Sequence, residues 1–489
     1  MYLVPFFLVP FTFSHSTFTL FSISKTNTMK RTTILFLELF LLCFSAMAQD
    51  ISGYWEGILR VTKQDSLTIG LLVEQDGDSL RVILDSPDQY YMDIATNESQ
   101  WKDSTLSWTV NDLGASYSGQ LSPDGQRITG TFKQGAKFPL TLERGHERVI
   151  INRPQTPQPP YPYIEEEIHI LDKNGRFYLI NGTLTMPTNE PKALLILISG
   201  SGWQDRDEFI LGHKPFMVIA DHLTRLGYAV FRYDDFPQAV FAKSTTYDFA
   251  DGVTLILDSF ACRQDLASLP TGLLGHSEGS MVAEIVTARD QRVDFVITLG
   301  GVAQRPMDVL LYQLRAISEA DSIFTAEEID NTVKLSAQIY KALDKAKNEK
   351  QAVNILKRAW EQISDKLTPE EQERYGYTPQ KKAASIHQLS SPWFYTFIHF
   401  DPKPYIQKMR CPVLTIGGAK DLQVDTETNN ALFSKYLSKN KNHHHVSIPG
   451  ANHLLQPCTT GSPKEYGKIE ETIKPEVLEI IANWLETLR

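Results

Sequence analysis

Ala193-Leu-Leu-Ile-Leu-Ile198 is an unbroken apolar run, and no other stretch constrains the fold of this chain as strongly. Successive side chains of a strand point to opposite faces, so a strand without polar alternation must be covered on both sides, as in a parallel sheet. The sequence that follows supplies the cover. Phe216, Ile219, Ala220, Leu223 and Leu226 recur at helical spacing and stop at Gly227. Tyr228 to Tyr233 reads as the next strand, and a second helix spans roughly 246–261. A short apolar run ending at Gly275 is followed by Met281, Val282, Ile285 and Val286 at helical spacing, and Phe295 to Leu299 is another buried strand. Before the run, Glu165 to Leu171 and Phe177 to Met186 read as a first pair of strands. Alternation at this spacing predicts an α/β doubly wound sheet.

The alternation breaks between about 303 and 400. Thr325-x-x-Glu328 is a capping box, and Thr368, Pro369 and Glu371 form another with proline at the first helical position. Val353, Leu356, Trp360, Ile363 and Leu367 make one apolar helix face. The segment reads as a helical insertion of a size suited to a lid. The pattern resumes with a strand at Pro412 to Ile416, a helix near 426–438, a strand at His445 to Ile448 and a final helix near 470–488.

Upstream, residues 50–149 show short alternating runs, Leu67 to Val73 and Leu80 to Leu84 among them, with turns at Asp76-Gly77 and Pro123-Asp124-Gly125. This predicts a small all-β domain with Trp55, Trp101 and Trp108 as its plugs, a carbohydrate platform being the alternative role for those rings. Pro154, Pro157, Pro159, Pro160 and Pro162 mark residues 150–163 as a semi-rigid linker. The α/β domain then runs from 164 to 489.

The amino terminus carries a leader. Met29-Lys30-Arg31, an apolar run to Ser45 and Ala46-Met47-Ala48 are the parts of a signal peptide in order, which places the protein in the periplasm or outside the cell. The apolar run falls short of a ~20-residue span, which favours a signal peptide over a membrane anchor, so no stable membrane span is expected in the mature chain. Residues 1–28 then read as the product of a start called too early. Three of four cysteines, at 262, 411 and 458, remain after removal of 29–48, so one at least stays unpaired within a monomer. A net charge of −10 argues against nucleic acid as a partner.

Ligands of open α/β sheets bind beyond the carboxyl ends of the strands, and three such ends carry chemistry. Gly275-x-Ser277-x-Gly279 is the nucleophile-elbow signature, with small residues letting the backbone turn and expose the hydroxyl. The chain order Ser, acid, His then continues with Asp421, beyond strand 412–416, and His453, beyond strand 445–448. A serine needs an imidazole to take its proton, and that imidazole needs a carboxylate to hold its tautomer. Asp425 is the alternative acid, at the start of a helix. His443 to His445 could bind a metal but read better as a solvated run, and His276 as packed or locally bonded. The oxyanion donors expected are the main-chain N–H groups of Glu278 and of Ser201, in the Gly-rich loop Ser199-Gly200-Ser201-Gly202. Asp205, Arg206, Asp207 and Glu208 read as an ion-pair network fixing that loop.

From about residue 163 the chain resembles the bacterial α/β-hydrolase carboxylesterases related to serine-aminopeptidase-like hydrolases. The likeness rests on Ser199-Gly-Ser-Gly-Trp-Gln-Asp-Arg-Asp-Glu208, Phe231-Arg-Tyr-Asp-Asp235, Gly275-His-Ser-Glu-Gly279, Cys411-Pro-Val-Leu, Gly418-Ala-Lys-Asp421 and Gly450-Ala-Asn-His453. It departs from the family at Trp203, where proline is usual, and at Phe236 to Phe241, which replaces an Arg-Gly-x-Gly-x-Ser turn. The resemblance implies an α/β-hydrolase fold with a helical lid and ester hydrolysis through an acyl-enzyme at Ser277, with Asp421 and His453 in the matching positions and no metal or organic cofactor. The expected partner is a small-molecule ester, acylated sugars among the candidates. Two other functions fit the same features: an aminopeptidase or amidase, with Glu278 or Glu208 holding a free amine, and a non-enzymatic envelope binding protein.

Overall fold

The computed structural model describes residues 50–488, apart from 63–64, 78, 112, 173–174 and 176–178. The leader expected at 29–48, the segment 1–28 before it and Cys43 lie outside the described residues, as does Phe177. The chain divides into two compact units, described separately, with the change between Ile151 and Asn152.

Among the described residues the first unit forms one nine-stranded antiparallel sheet. Its strands are β1 (Gly53–Arg60), β2 (Ser66–Asp76), β3 (Ser79–Ser86), β4 (Tyr91–Ala95), β5 (Glu98–Lys102), β6 (Thr105–Val110), β7 (Ala115–Leu121), β8 (Arg127–Gln134) and β9 (Ala136–Arg144). Their order is β4-β3-β2-β1-β9-β8-β7-β6-β5. Alternation decides which face is covered: Leu106, Trp108 and Val110 of β6 are buried while the residues between them are half-buried. Trp55 and Trp108 are fully enclosed in the core with Leu71 and Ile128. Those two rings are therefore plugs and cannot serve as an exposed platform. The predicted turn at Pro123-Asp124-Gly125 joins β7 to β8, closed by Gly125 N–H on Ser122 O at 2.9 Å.

The second unit is α/β. Strands β10 (Ile164–Leu171), β11 (Leu179–Met186), β12 (Leu194–Ile198), β13 (Ala229–Tyr233), β14 (Thr271–His276), β15 (Val293–Leu299), β16 (Val413–Gly418) and β17 (His443–Ile448) lie in the order β10-β11-β13-β12-β14-β15-β16-β17. The first two are antiparallel and β13 onward is parallel. The apolar run behaves as its composition demands. Leu194, Ile196 and Ile198 enter one core and Leu195 and Leu197 the other. On the first face lie α3 (Thr246–Phe260) and α4 (Glu278–Arg289), and on the second α1 (Pro215–Arg225) and α13 (Pro475–Glu486). Phe216, Ile219 and Leu223 of α1 are enclosed, each stabilising the unit by about 1.5–3 kcal/mol relative to exposure. Between α1 and α3, α2 (Gln238–Phe241) is one helical turn.

Between β15 and β16 the chain forms α5 (Pro306–Asp321), α6 (Ala326–Leu343), α7 (Glu349–Ser364), α8 (Pro369–Tyr375), α9 (Pro379–Leu389) and α10 (Pro392–His399), then the short α11 (Lys403–Ile406). Both capping boxes form, Thr325 with Glu328 on α6 and Thr368 with Glu371 on α8. These helices have a core of their own around Leu343, Leu356, Trp360 and Ile398. After β16 comes α12 (Thr426–Tyr436). The last helix begins later than the expected 470, because Pro475 opens it at N1 and Ile473 is used for packing. Residues 152–163 pack on this unit: Arg153 donates to Leu211 O and Gly467 O at 2.8 Å each, and Gln155 to Ile473 O at 2.8 Å. Among the described residues no helix is long and apolar enough to cross a membrane.

Candidate active site

Ser277 occupies the turn between β14 and α4 with φ 52° and ψ −118°, a conformation costly for a residue with a Cβ and held only by its surroundings. The surroundings explain the glycines. A Cβ on Gly275 would lie 2.2 Å from Gly279 O, and one on Gly279 would lie 2.2 Å from Ile198 O. Strand, helix and neighbouring strand end therefore meet at van der Waals contact. Ser277 N–H is anchored on Leu299 O at 2.9 Å.

Asp421 and His453 come together. His453 Nδ1 lies 2.7 Å from Asp421 Oδ2, and both side chains are buried. The other carboxylate oxygen accepts the N–H groups of Gln423 and Val424, each at 2.8 Å, so Asp421 is fixed before it meets the ring. Asp425 instead takes the Thr428 hydroxyl at the start of α12. His453 and Ser277 border one cavity of about 210 Å³. No hydrogen bond joins Ser277 Oγ to the ring among the described residues; such bonds commonly close only around substrate.

The two expected oxyanion donors border the same cavity. Among the described residues, neither Ser201 N–H nor Glu278 N–H is given to a protein acceptor. Gly200 N–H, by contrast, is held by Glu208 at 2.7 Å. Gly200 also lies close beneath Ser277, since a Cβ there would be 3.2 Å from the serine Cβ.

The acidic run after the loop is an ion-pair network, although its partners are distant in sequence. Arg206 bonds Asp234 at 2.7 Å and Glu167 at 2.6 Å, and Asp207 pairs with buried Arg232. Glu208 reaches His276 Nδ1 at 2.8 Å, while His276 Nε2 lies 3.2 Å from His453 O. His276 is thus bonded rather than free, as expected, but to partners remote in sequence: it bridges the loop after β12 to the loop carrying His453. Both ring nitrogens face acceptors. Burial alone would draw the ring toward neutrality, but the charge and hydrogen bond of Glu208 outweigh it and hold His276 above the usual histidine range. Asp235, half-buried near Glu278 and Glu208, is pushed well above the carboxylate range by loss of solvent around its carboxylate first and by those charges second.

The triplet His443 to His445 lies on β17. His445 Nδ1 is 2.6 Å from Thr415 Oγ1. Among the described residues no group of three or more His, Cys, Asp or Glu is gathered as metal ligands would be.

Three contributors escaped the sequence. Gly300, at φ 56°, lies against the His453 ring; the pair Gly300-Gly301 at a strand end was the available signal. Tyr312 of α5 donates to Asp421 O at 2.9 Å. Trp393 of α10 borders the cavity and donates to Glu278. The last two carry no local signal.

No family model matches the chain. It is 26% identical over 338 residues, 67% of this chain and 68% of the other, to Esterase EstD of Thermotoga maritima. Among solved structures it is similar to Est1E from Butyrivibrio proteoclasticus, with 16% identity, 66% of this chain and 96% of that one covered, and a TM-score of 0.37. A dienelactone hydrolase from Anabaena variabilis shows 14% identity, 67% and 99% coverage, and a TM-score of 0.35.

Proposed function

We propose that this chain, an α/β-hydrolase of the bacterial carboxylesterase family, cleaves small-molecule carboxylic esters through Ser277, His453 and Asp421. The observation that carries the reading is the 2.7 Å bond to a buried, pre-fixed Asp421 from His453, which lines the same cavity as Ser277. In the first step His453 Nε2 takes the Ser277 proton as the oxygen attacks the acyl carbon, while Asp421 stabilises the resulting imidazolium. The N–H groups of Ser201 and Glu278 receive the oxyanion. The protonated ring then gives its proton to the departing alcohol, and His453 activates the water that releases the acid.

Helices α5–α10 act in this reading as a lid, supported by the side chains of Leu310, Tyr340, Trp393, Phe394 and Phe397 on the cavity wall. The amine-binding alternative is disfavoured because Glu208 and Glu278 already serve neighbouring donors. Export by the leader at 29–48 belongs to the same proposal, and its test is fractionation of cells producing the full chain. For the chemistry, the test is turnover of short-chain p-nitrophenyl esters. Ser277→Ala should abolish it together with fluorophosphonate labelling. Undiminished turnover in that variant removes the assignment.

A further inference from the structure

Glu278 follows the nucleophile directly, and donors from three separate parts of the chain enclose its carboxylate. Ser201 Oγ, from the loop after β12, lies at 2.7 Å. Thr246 Oγ1, at the start of α3, lies at 2.6 Å. Trp393 Nε1, in the first turn of α10, lies 2.9 and 3.1 Å from the two oxygens. The carboxylate is buried, and among the described residues no cation is found in its setting. Burial raises its proton affinity, and the three donors pull the other way.

One of these ties, from Ser201, lies within the expected oxyanion site itself. Ser201 and Glu278 both line the cavity, their main-chain N–H groups given to no protein acceptor among the described residues, and their side chains are bonded to each other. The third tie leaves the α/β fold and enters the helical insertion. Trp393 is held firmly there: its ring stacks on Phe397 at 5.1 Å and meets Phe394 edge-on at 5.9 Å. Ser391 caps the helix that carries it, accepting Phe394 N–H at 3.2 Å. The same indole lines the cavity, so the ring that holds Glu278 is also part of the cavity wall.

We infer that Glu278 is a positioning residue whose carboxylate sets the Ser201 and Glu278 amides, and that Trp393 makes this setting depend on α10 lying over the site. The inference rests on the ester-hydrolase reading above. A buried carboxylate deprived of one donor must turn toward another or admit water, and either movement drags the side chain of Ser201 and the first turn of α4. The insertion then does more than cover the pocket: it completes the oxyanion geometry.

The test uses the full chain with p-nitrophenyl butyrate as substrate, propylboronic acid as the tetrahedral mimic and the matching butyramide as ground-state competitor. Trp393→Phe keeps the ring stack and removes the N–H. It should lower kcat and weaken boronate binding together, by about tenfold, against the ~100–1,000-fold expected for outright loss of an oxyanion donor. Butyramide inhibition should be unchanged. Ser201→Ala, which keeps the main-chain N–H and cuts the tie to Glu278, should give the same signature and guards against a packing defect peculiar to the Trp393 variant. A rise in KM alone, with kcat and boronate affinity intact in both variants, would show the insertion to be only a cover and overturn the inference. Wild-type behaviour of both variants would overturn it equally. Loss of Ser277-dependent turnover in the unmodified chain would instead remove the esterase reading, and the inference with it.

Discussion

Gly300→Ala tests whether the position of the His453 ring sets the rate. A methyl at Gly300 would lie 2.9 Å from His453 Cε1, 3.0 Å from Nδ1 and 3.5 Å from Asp421 Oδ2. Carbon contacts settle near ~3.5 Å, so the ring must retreat by roughly half an ångström. A misplacement of ~1 Å in a catalytic group costs on the order of 100-fold. Half of that displacement predicts a loss of about tenfold in kcat, or ~1.4 kcal/mol of barrier. The left-handed backbone at φ 56° should cost the alanine a further ~1–2 kcal/mol of stability. Gly125→Ala is the control: its φ is 71° and no heavy atom lies within 4 Å of the added methyl. It should carry a similar backbone penalty without loss of turnover. The assay is p-nitrophenyl butyrate hydrolysis alongside thermal melting. Gly300→Ala turning over at the wild-type rate while melting lower would refute the reasoning, since strain would then be present without displacement of a working ring.

Two further outcomes are expected. Asp421→Asn should leave the fold intact and reduce kcat by about 10³–10⁴-fold, because an amide can hold His453 in the wrong tautomer; Asp425→Asn should change turnover little, and a reversed ranking would reassign the acid. Glu284 of α4 is fully buried, and among the described residues neither carboxylate oxygen has a hydrogen-bond partner. Burial raises its pKa well above the ordinary value, so the folded state favours the proton. Its contribution to stability is then fully present below the ordinary carboxylate pKa and is lost as pH rises toward the raised folded value. Glu284→Met should stabilise the protein by about 1–3 kcal/mol at pH 8, with the gain shrinking toward pH 4; melting curves across that range decide it, and a gain independent of pH would show that packing, not ionisation, is responsible.

Much of the α/β unit was legible because its strands are written in a single register. The run from Ala193 to Ile198 could only be a doubly covered strand, and its two faces indeed enter two cores. The elbow was legible because a tight strand-turn-helix needs small residues at fixed offsets. Asp421 and His453 could be placed by counting strand ends, and the structure brings their side chains together. What stayed hidden is what joins remote segments. His276 meets partners 68 and 177 residues away, and Trp393 reaches Glu278 across 115. Neither pairing leaves a period or a spacing in the sequence. Prolines at 154–162 suggested a spacer, yet the side chains that bind residues 152–163 to the α/β unit, Arg153 and Gln155, are ordinary polar ones. The stretch 236–241 lacked a helical period because a single turn is too short to show one.

The backbone at Ser277 also restricts what descendants of this chain can become. A lineage could exchange the Ser277 hydroxyl for a thiol, because cysteine shares the unbranched Cβ of serine. Threonine offers the same oxygen, yet its branched Cβ suits φ 52° and ψ −118° poorly. Drift toward a secondary alcohol is therefore closed by geometry before chemistry is ever tested, and the gentlest-looking replacement at this position is among the least accessible.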